Sequence, residues 1–143
     1  MSFDLKIKNY DLSVEQGKVK TVEGTDKLIQ DILKICLTEA GSNPMHPSYG
    51  SYVSKSIIGS VLENDILITI ARDQLFVALQ NLKSLQEMQI RSSQRVSPEE
   101  QIASILGVSV ERNAIMPTLF DIRIKVAAKA FNIVSTEFNI NII

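Results

Sequence analysis

The feature that most limits the fold is a change of hydrophobic period along the chain, from two to about 3.6 and back to two. Phe3, Leu5 and Ile7 alternate with Asp4, Lys6 and Lys8, so the chain opens as a half-buried strand. Leu12 and Val14, then Val19 and Val22, flank Glu15-Gln16-Gly17-Lys18, which reads as a hairpin turn with Gly17 at positive φ. From Asp26 to Ala40 the residues Leu28, Ile29, Ile32, Leu33, Ile35 and Cys36 recur at helical spacing, and Gly41 is placed to end the helix. A longer helix is predicted from Asn64 or Asp65 to Ile90. Ile66, Ile70, Val77, Leu82, Leu85 and Met88 lie on one face of it, and Leu67, Ala71, Leu75, Ala78 and Leu79 widen that face. Ser97-Pro98-Glu99 resembles a cap with proline at the first helical position. Period two returns in Ile105 to Val110, in Leu119 to Ala127 and in Phe131 to Ile143. The order β-β-α-loop-α-β-β-β predicts an α+β fold, an antiparallel sheet of N-terminal hairpin and C-terminal strands packed on two helices.

At 143 residues the chain is expected to form a single domain, 1–143. Fifteen basic against sixteen acidic residues leave a net charge of −1, which weighs against a nucleic-acid partner. One cysteine excludes an internal disulfide and a thiolate zinc site, and one histidine excludes a histidine metal cluster. Cys36 lies on the first helix's apolar stripe and reads as a buried structural thiol. No Walker loop, G-x-G-x-x-G, H-E-x-x-H or EF-hand pattern occurs, so no cofactor or metal is expected. The opening MSFDLKIKNYDL lacks the apolar core of a signal peptide, and no apolar run approaches the length of a membrane span.

Catalysis has little to work with. His46 has Ser48 and Ser51 nearby but no turn that presents a nucleophile. Glycoside hydrolysis would need two of Glu39, Glu63, Asp65, Asp73, Glu87, Glu99, Glu100 and Glu111 facing each other at ~5–9.5 Å. Most of these fall at predicted helix ends, where the helix dipole accounts for them. No catalytic residue is predicted.

Residues 41–60, GSNPMHPSYGSYVSKSIIGS, carry Pro44 and Pro47 among interspersed apolar and aromatic side chains. They read as an ordered loop with a short helical piece near 51–58, stiffened by its prolines, and Gly50 after Tyr49 reads as a turn at positive φ.

The join of the first helix and this loop, LIQDILKICLTEAGS followed by NPMHPSYGSYVSKSIIG, resembles the baseplate wedge (sheath-initiator) family of contractile phage tails. Relatives of that family occur in type VI secretion and other contractile injection machines. The matching positions are Leu37, Thr38, Gly41, Ser42, Pro44, Pro47, Tyr49 and Gly50. The resemblance implies a non-enzymatic structural subunit of the virion's tail baseplate, made in the host bacterial cytoplasm. Its implied partners are other wedge proteins and tail sheath subunits, in about six copies per closed, symmetric baseplate, with no nucleic acid and no membrane. Better-studied members carry Glu-Pro-Arg before the first C-terminal strand and use it to grip the wedge core. Here that place reads Ser97-Pro98-Glu99-Glu100-Gln101-Ile102, so the contact is remade with Glu99, Glu100 and nearby Arg95, or the partner differs. The same small baseplate proteins attract the label of lysozyme, which is the enzymatic alternative. The equivalent subunit of a type VI or extracellular injection device is the structural one.

The last strands supply the remaining expectation. Phe120, Ile122, Ile124 and Val126 form one apolar face, and Asp121, Arg123 and Lys125 form the other. The final segment, FNIVSTEFNINII, has one charged residue, Glu137, and no proline, so as a sheet edge it is unprotected. A partner strand is expected to complete the sheet there, with Phe120, Ile122 and Ile124 among the partner-binding residues. The alternative is that the chain's own strand 3–8 covers the edge.

Overall fold

The N-terminal alternation resolves into three short arms around a common centre. The computed structural model describes residues 4–8, 11–57 and 63–141, so Phe3, Ile58 and Ile142 lie outside the described residues. β1 (Asp4–Leu5) pairs with β6 (Thr21–Val22), β2 (Ile7–Lys8) with β3 (Asp11–Leu12), and β4 (Val14–Glu15) with β5 (Lys18–Val19), all antiparallel. Where the arms meet, three backbone bonds of 2.8 Å run in a ring: Lys6 N–H to Lys20 C=O, Lys20 N–H to Ser13 C=O, and Ser13 N–H to Lys6 C=O. The expected turn at 15–18 is present, with Gln16 at φ 50° and Gly17 at φ 74°, the pairing that suits a two-residue hairpin loop.

Helix α1 (Gly24–Leu37) begins where the Glu100 carboxylate accepts the Gly24 amide at 3.1 Å. It stops three residues short of the expected end. Thr38 turns to extended backbone, and its hydroxyl donates to the Lys34 carbonyl at 2.6 Å, closing the last turn. Gly41, at φ 87°, therefore serves the loop beyond and not the helix end. Gln30 faces inward from α1. Its side-chain oxygen accepts the Ile7 amide (2.9 Å) and its NH2 donates to the Leu5 carbonyl (2.8 Å), tying the arms to the helix.

Helix α2 (Val53–Ile57) and helix α3 (Asn64–Arg91) follow. The bounds of α3 match the sequence reading to within one residue, but only part of the wide apolar stripe is buried. Leu67, Ala71, Leu75, Ala78, Leu79 and Leu82 are buried, whereas Ile66, Val77 and Met88 are exposed. Ser97 then precedes a single 3-10 turn (Pro98–Glu100) that has proline at its start, as expected, but its side chain makes no capping bond.

β7 (Ile102–Arg112), β8 (Leu119–Ala128) and β9 (Ile133–Asn141) form an antiparallel sheet in the order β7-β8-β9. The α+β class and the sheet-on-helix packing are as read from the sequence. The N-terminal strands pair among themselves and not with β7–β9. One face of the sheet carries Val110, Phe120, Ile122, Ile124, Val126, Val134 and Ile140 into a core shared with all three helices, and Cys36 lies in the same cluster. At the mouth of the sheet Gln86 of α3, itself buried, donates to the Glu100 carbonyl and accepts the Ile102 amide, both at 2.8 Å.

Candidate functional site

The two edges of the sheet differ. β7 meets β8 with register shifts between Ile102 and Ser104 and between Ile105 and Gly107, irregularities that bend a strand and spoil it as a template. β9 runs beside β8 in unbroken register from Leu119↔Asn141 to Ala127↔Ile133, and among the described residues no strand pairs with its outer side over Ile133 to Ile140. The alternative cover is absent there: β1 and β2 are engaged with β6 and β3. Beside the open edge runs a groove of about 760 Å3 whose wall includes Ile29, Leu33 and Leu37, at i, i+4 and i+8 on α1, together with Ile7 and Phe138. Ile29 and Leu33 in this row are half-buried, Ile29 against the core, and Leu37 is exposed. On the opposite face of the sheet Arg123 and Glu137 are paired across β8 and β9 at 3.1 Å.

The loop after α1 is held by its own backbone. Ala40 N–H donates to Ser51 C=O (3.0 Å), Ser51 N–H to Thr38 C=O (2.9 Å), and Ser51 Oγ to Cys36 C=O (2.7 Å), which closes its base. Ser42, His46 and Tyr49 amides bond back to Glu39, Asn43 and His46 carbonyls, so the segment is a run of turns, as its composition predicts. Gly50 is at φ 116° and buried, and a Cβ there would lie 2.6 Å from the Thr38 carbonyl oxygen. Pro44 and Pro47 are exposed on the loop's outer side, while Tyr49 is half-buried against the core.

Tyr49 and Arg95 share one cavity, of about 370 Å3, between α1, the end of α3 and residues 94–96. Burial, then the neighbouring Asp31 carboxylate, pushes the Tyr49 phenol up to about 12, so it remains a neutral donor. Lys27 bonds Asp31 and Lys34 bonds Asp4, each at 2.7 Å, in the same wall. Burial raises the Asp31 carboxyl above its usual range despite Lys27.

Four of the residues expected at a partner contact belong to the interior. Phe120, Ile122 and Ile124 are at most 1% exposed and face the helices, because the apolar face of a strand this regular is the one its own helices cover. Glu100 is 2% exposed and its carboxylate caps α1. Glu99 is exposed, with its carboxylate against Gly24. Sequence reasoning missed Gln30 and Gln86, whose only signal is a glutamine interrupting each apolar stripe. Among the described residues no group of His, Cys, Asp and Glu is arranged to hold a metal, and no helix is long and apolar enough to cross a membrane.

No protein-family profile matches the chain, and no curated protein matches it. A solved structure does: a crystal structure of a protein named as a candidate tail lysozyme, from Geobacter sulfurreducens, superposes with a TM-score of 0.62 at 13% identity, covering 82% of this chain and 90% of that one. The two proteins share a fold.

Proposed function

We propose that this chain is a non-enzymatic structural subunit of a contractile-tail baseplate, which joins the wedge core to the first ring of tail sheath and templates that ring by strand pairing. One observation carries the reading: among the described residues no strand pairs with the outer side of β9 over Ile133 to Ile140, which is in unbroken register with β8 and lies next to the half-buried apolar row of α1. A strand laid along β9 would gain main-chain bonds from the edge and pack alternate side chains on Leu33 and Leu37. The fold shared with a tail protein, and the loop sequence that ends in Pro47-Ser48-Tyr49-Gly50, support the same machine.

Deleting β9 outright would bare the core, since Val134 and Ile140 are buried. The discriminating variant is Leu37→Lys, because Leu37 is 43% exposed and its loss costs the fold little. Assembled baseplates carrying it form but nucleate no sheath under electron microscopy; normal sheath growth from them would overturn the strand-pairing role.

The structural neighbour's name favours one other reading, a glycoside hydrolase. That reading predicts clearing of a peptidoglycan suspension by the purified chain, abolished by Glu99→Gln or Glu63→Gln. The structural reading predicts no clearing. A capsid and a terminase among the neighbouring genes would place the subunit in a phage, and their absence in a type VI or extracellular device.

A further inference from the structure

Helix α3 carries a second apolar row on the side away from the core. Ile66, Val77 and Met88 are 46%, 49% and 61% exposed. They stand eleven residues apart, close to three full turns at each step, so they share one face. Ile70 and Ser84 fall in the same row, each seven residues from Val77, close to two turns. The row is therefore symmetric about Val77, with Ile66 and Ile70 on one side and Met88 and Ser84 at the same distances on the other. Ser84 is its polar member, and its hydroxyl already donates to the Gln80 carbonyl of its own helix at 3.1 Å. It can be covered without losing a bond.

The charges follow the same symmetry. Glu63 and Arg91 lie fourteen residues to either side of Val77, at the two ends of the helix, and Asp65 adds a second acid at the first end. All three are exposed, and among the described residues none of them has an ion pair. We propose that this face is where two copies of the chain pair, α3 against α3 and antiparallel, about a two-fold axis at Val77. Val77 then meets its counterpart, Ile66 packs on the partner's Met88, and Ile70 fits over the small Ser84 of the partner subunit. The same operation brings each Arg91 to the partner's Glu63 and the partner's Asp65 and sets the two helix dipoles head to tail. A two-fold pairing is what makes a palindromic row meet itself in register, and an unrelated partner would require no such symmetry.

From Ile66 to Met88 the row is about 33 Å long. One helix face of that length makes a small interface, so the dissociation constant is expected on the order of 10 μM. A two-fold pair cannot sit in a ring whose subunits all point one way. On the baseplate reading, it is therefore the form of the free chain and parts before assembly.

Sedimentation equilibrium of the purified full chain tests the pairing. The chain should pass from monomer to dimer between about 1 and about 100 μM. Val77→Lys sets two ammonium groups on the axis and should weaken pairing at least about hundredfold, with an unchanged circular dichroism spectrum. Arg91→Glu should weaken it about tenfold, and adding Glu63→Lys and Asp65→Lys to that variant should restore it. A chain still monomeric at about 1 mM, a dimer indifferent to Val77→Lys, or no recovery on charge reversal would each overturn the proposal, the second by placing the contact on another surface. Leu37→Lys should leave pairing unchanged, so failure here and failure of strand pairing at β9 are separate results.

Discussion

Gln30 and Gln86 perform the same substitution at opposite ends of the fold. Each lends its side-chain amide as one peptide unit to a neighbouring extended segment. Gln30 takes the Leu5 carbonyl and the Ile7 amide; Gln86 takes the Glu100 carbonyl and the Ile102 amide. In extended backbone a carbonyl and the amide two residues on point the same way, so a single primary amide meets both. The two sites differ in burial. Gln86→Leu leaves both groups unsatisfied inside the protein and is expected to cost about 2–4 kcal/mol. At the part-buried Gln30 site water replaces the lost bonds, and Gln30→Leu is expected to cost about 1 kcal/mol. Urea unfolding of the two variants checks the order.

Gly50 and Gly17 both have positive φ, 116° and 74°, but different surroundings. A Cβ at Gly17 meets nothing within 4 Å, whereas at Gly50 it meets the Thr38 carbonyl oxygen and, at 2.9 Å, the Ala40 nitrogen. Gly17→Ala should cost only the left-handed backbone term, about 1–2 kcal/mol. Gly50→Ala should cost more and open the base of the loop, seen as lost exchange protection at the Ala40 and Ser51 amides. Equal costs for the two would show that the loop base yields.

Burial pushes the Cys36 thiol up to about 12, with no cation to oppose it. The thiolate is therefore scarce at neutral pH, and Cys36 is 2% exposed. A thiol reagent at about pH 8 should label the native protein only as fast as it unfolds, and at once in denaturant. Rapid native labelling would mean that α1 opens on its own.

Asp4 and Asp31 tie stability to pH with opposite signs. Burial raises the Asp4 carboxyl, but the Lys34 hydrogen bond, the Leu5 amide and the Lys34 charge outweigh it and leave the group below its ordinary 3.8. Its contribution is present above 3.8 and is lost as pH falls through the lower folded value. Asp31, raised by burial above 3.8, binds its proton more tightly in the folded state, so its contribution is fullest below 3.8 and declines as pH rises through the folded value. The penalty of Asp4→Asn should shrink as pH falls from about 6 to about 3, and that of Asp31→Asn should grow. Denaturation midpoints across that range decide it.

The long elements were legible because their signals repeat. α3 keeps its predicted bounds, and β8 alternates as read, with Asp121, Arg123 and Lys125 facing outward. The faces of α3 were not legible. A helix with Ile66, Val77 and Met88 opposite Leu67, Leu75 and Leu79 is apolar on two sides, and periodicity cannot say which side meets a sheet. The same ambiguity put Phe120, Ile122 and Ile124 at a partner contact when they are the core. Pairings two residues long, as in β1 to β6, have no period to detect, and β7 extends past its apolar segment through backbone pairing alone. Of the site, the stiff loop and its Gly50 could be read. The cavity shared by Tyr49 and Arg95, forty-six positions apart, depends on how α1 and α3 pack.

The ring of amides at Lys6, Ser13 and Lys20 also sets the order of events in time. Every pairing in the three arms joins residues within 4–22, so the unit closes through local contacts on the timescale of hairpins, without waiting for the long-range packing of the core. Its ladders are short and its apolar residues Leu5, Leu12, Val14 and Val19 stay about half exposed, so little holds it shut afterwards. Gln30 and Lys34 are its moorings to α1. The arms accordingly form a separate cooperative unit that can detach and redock while the core stays intact, and their amides exchange with solvent long before those of β8.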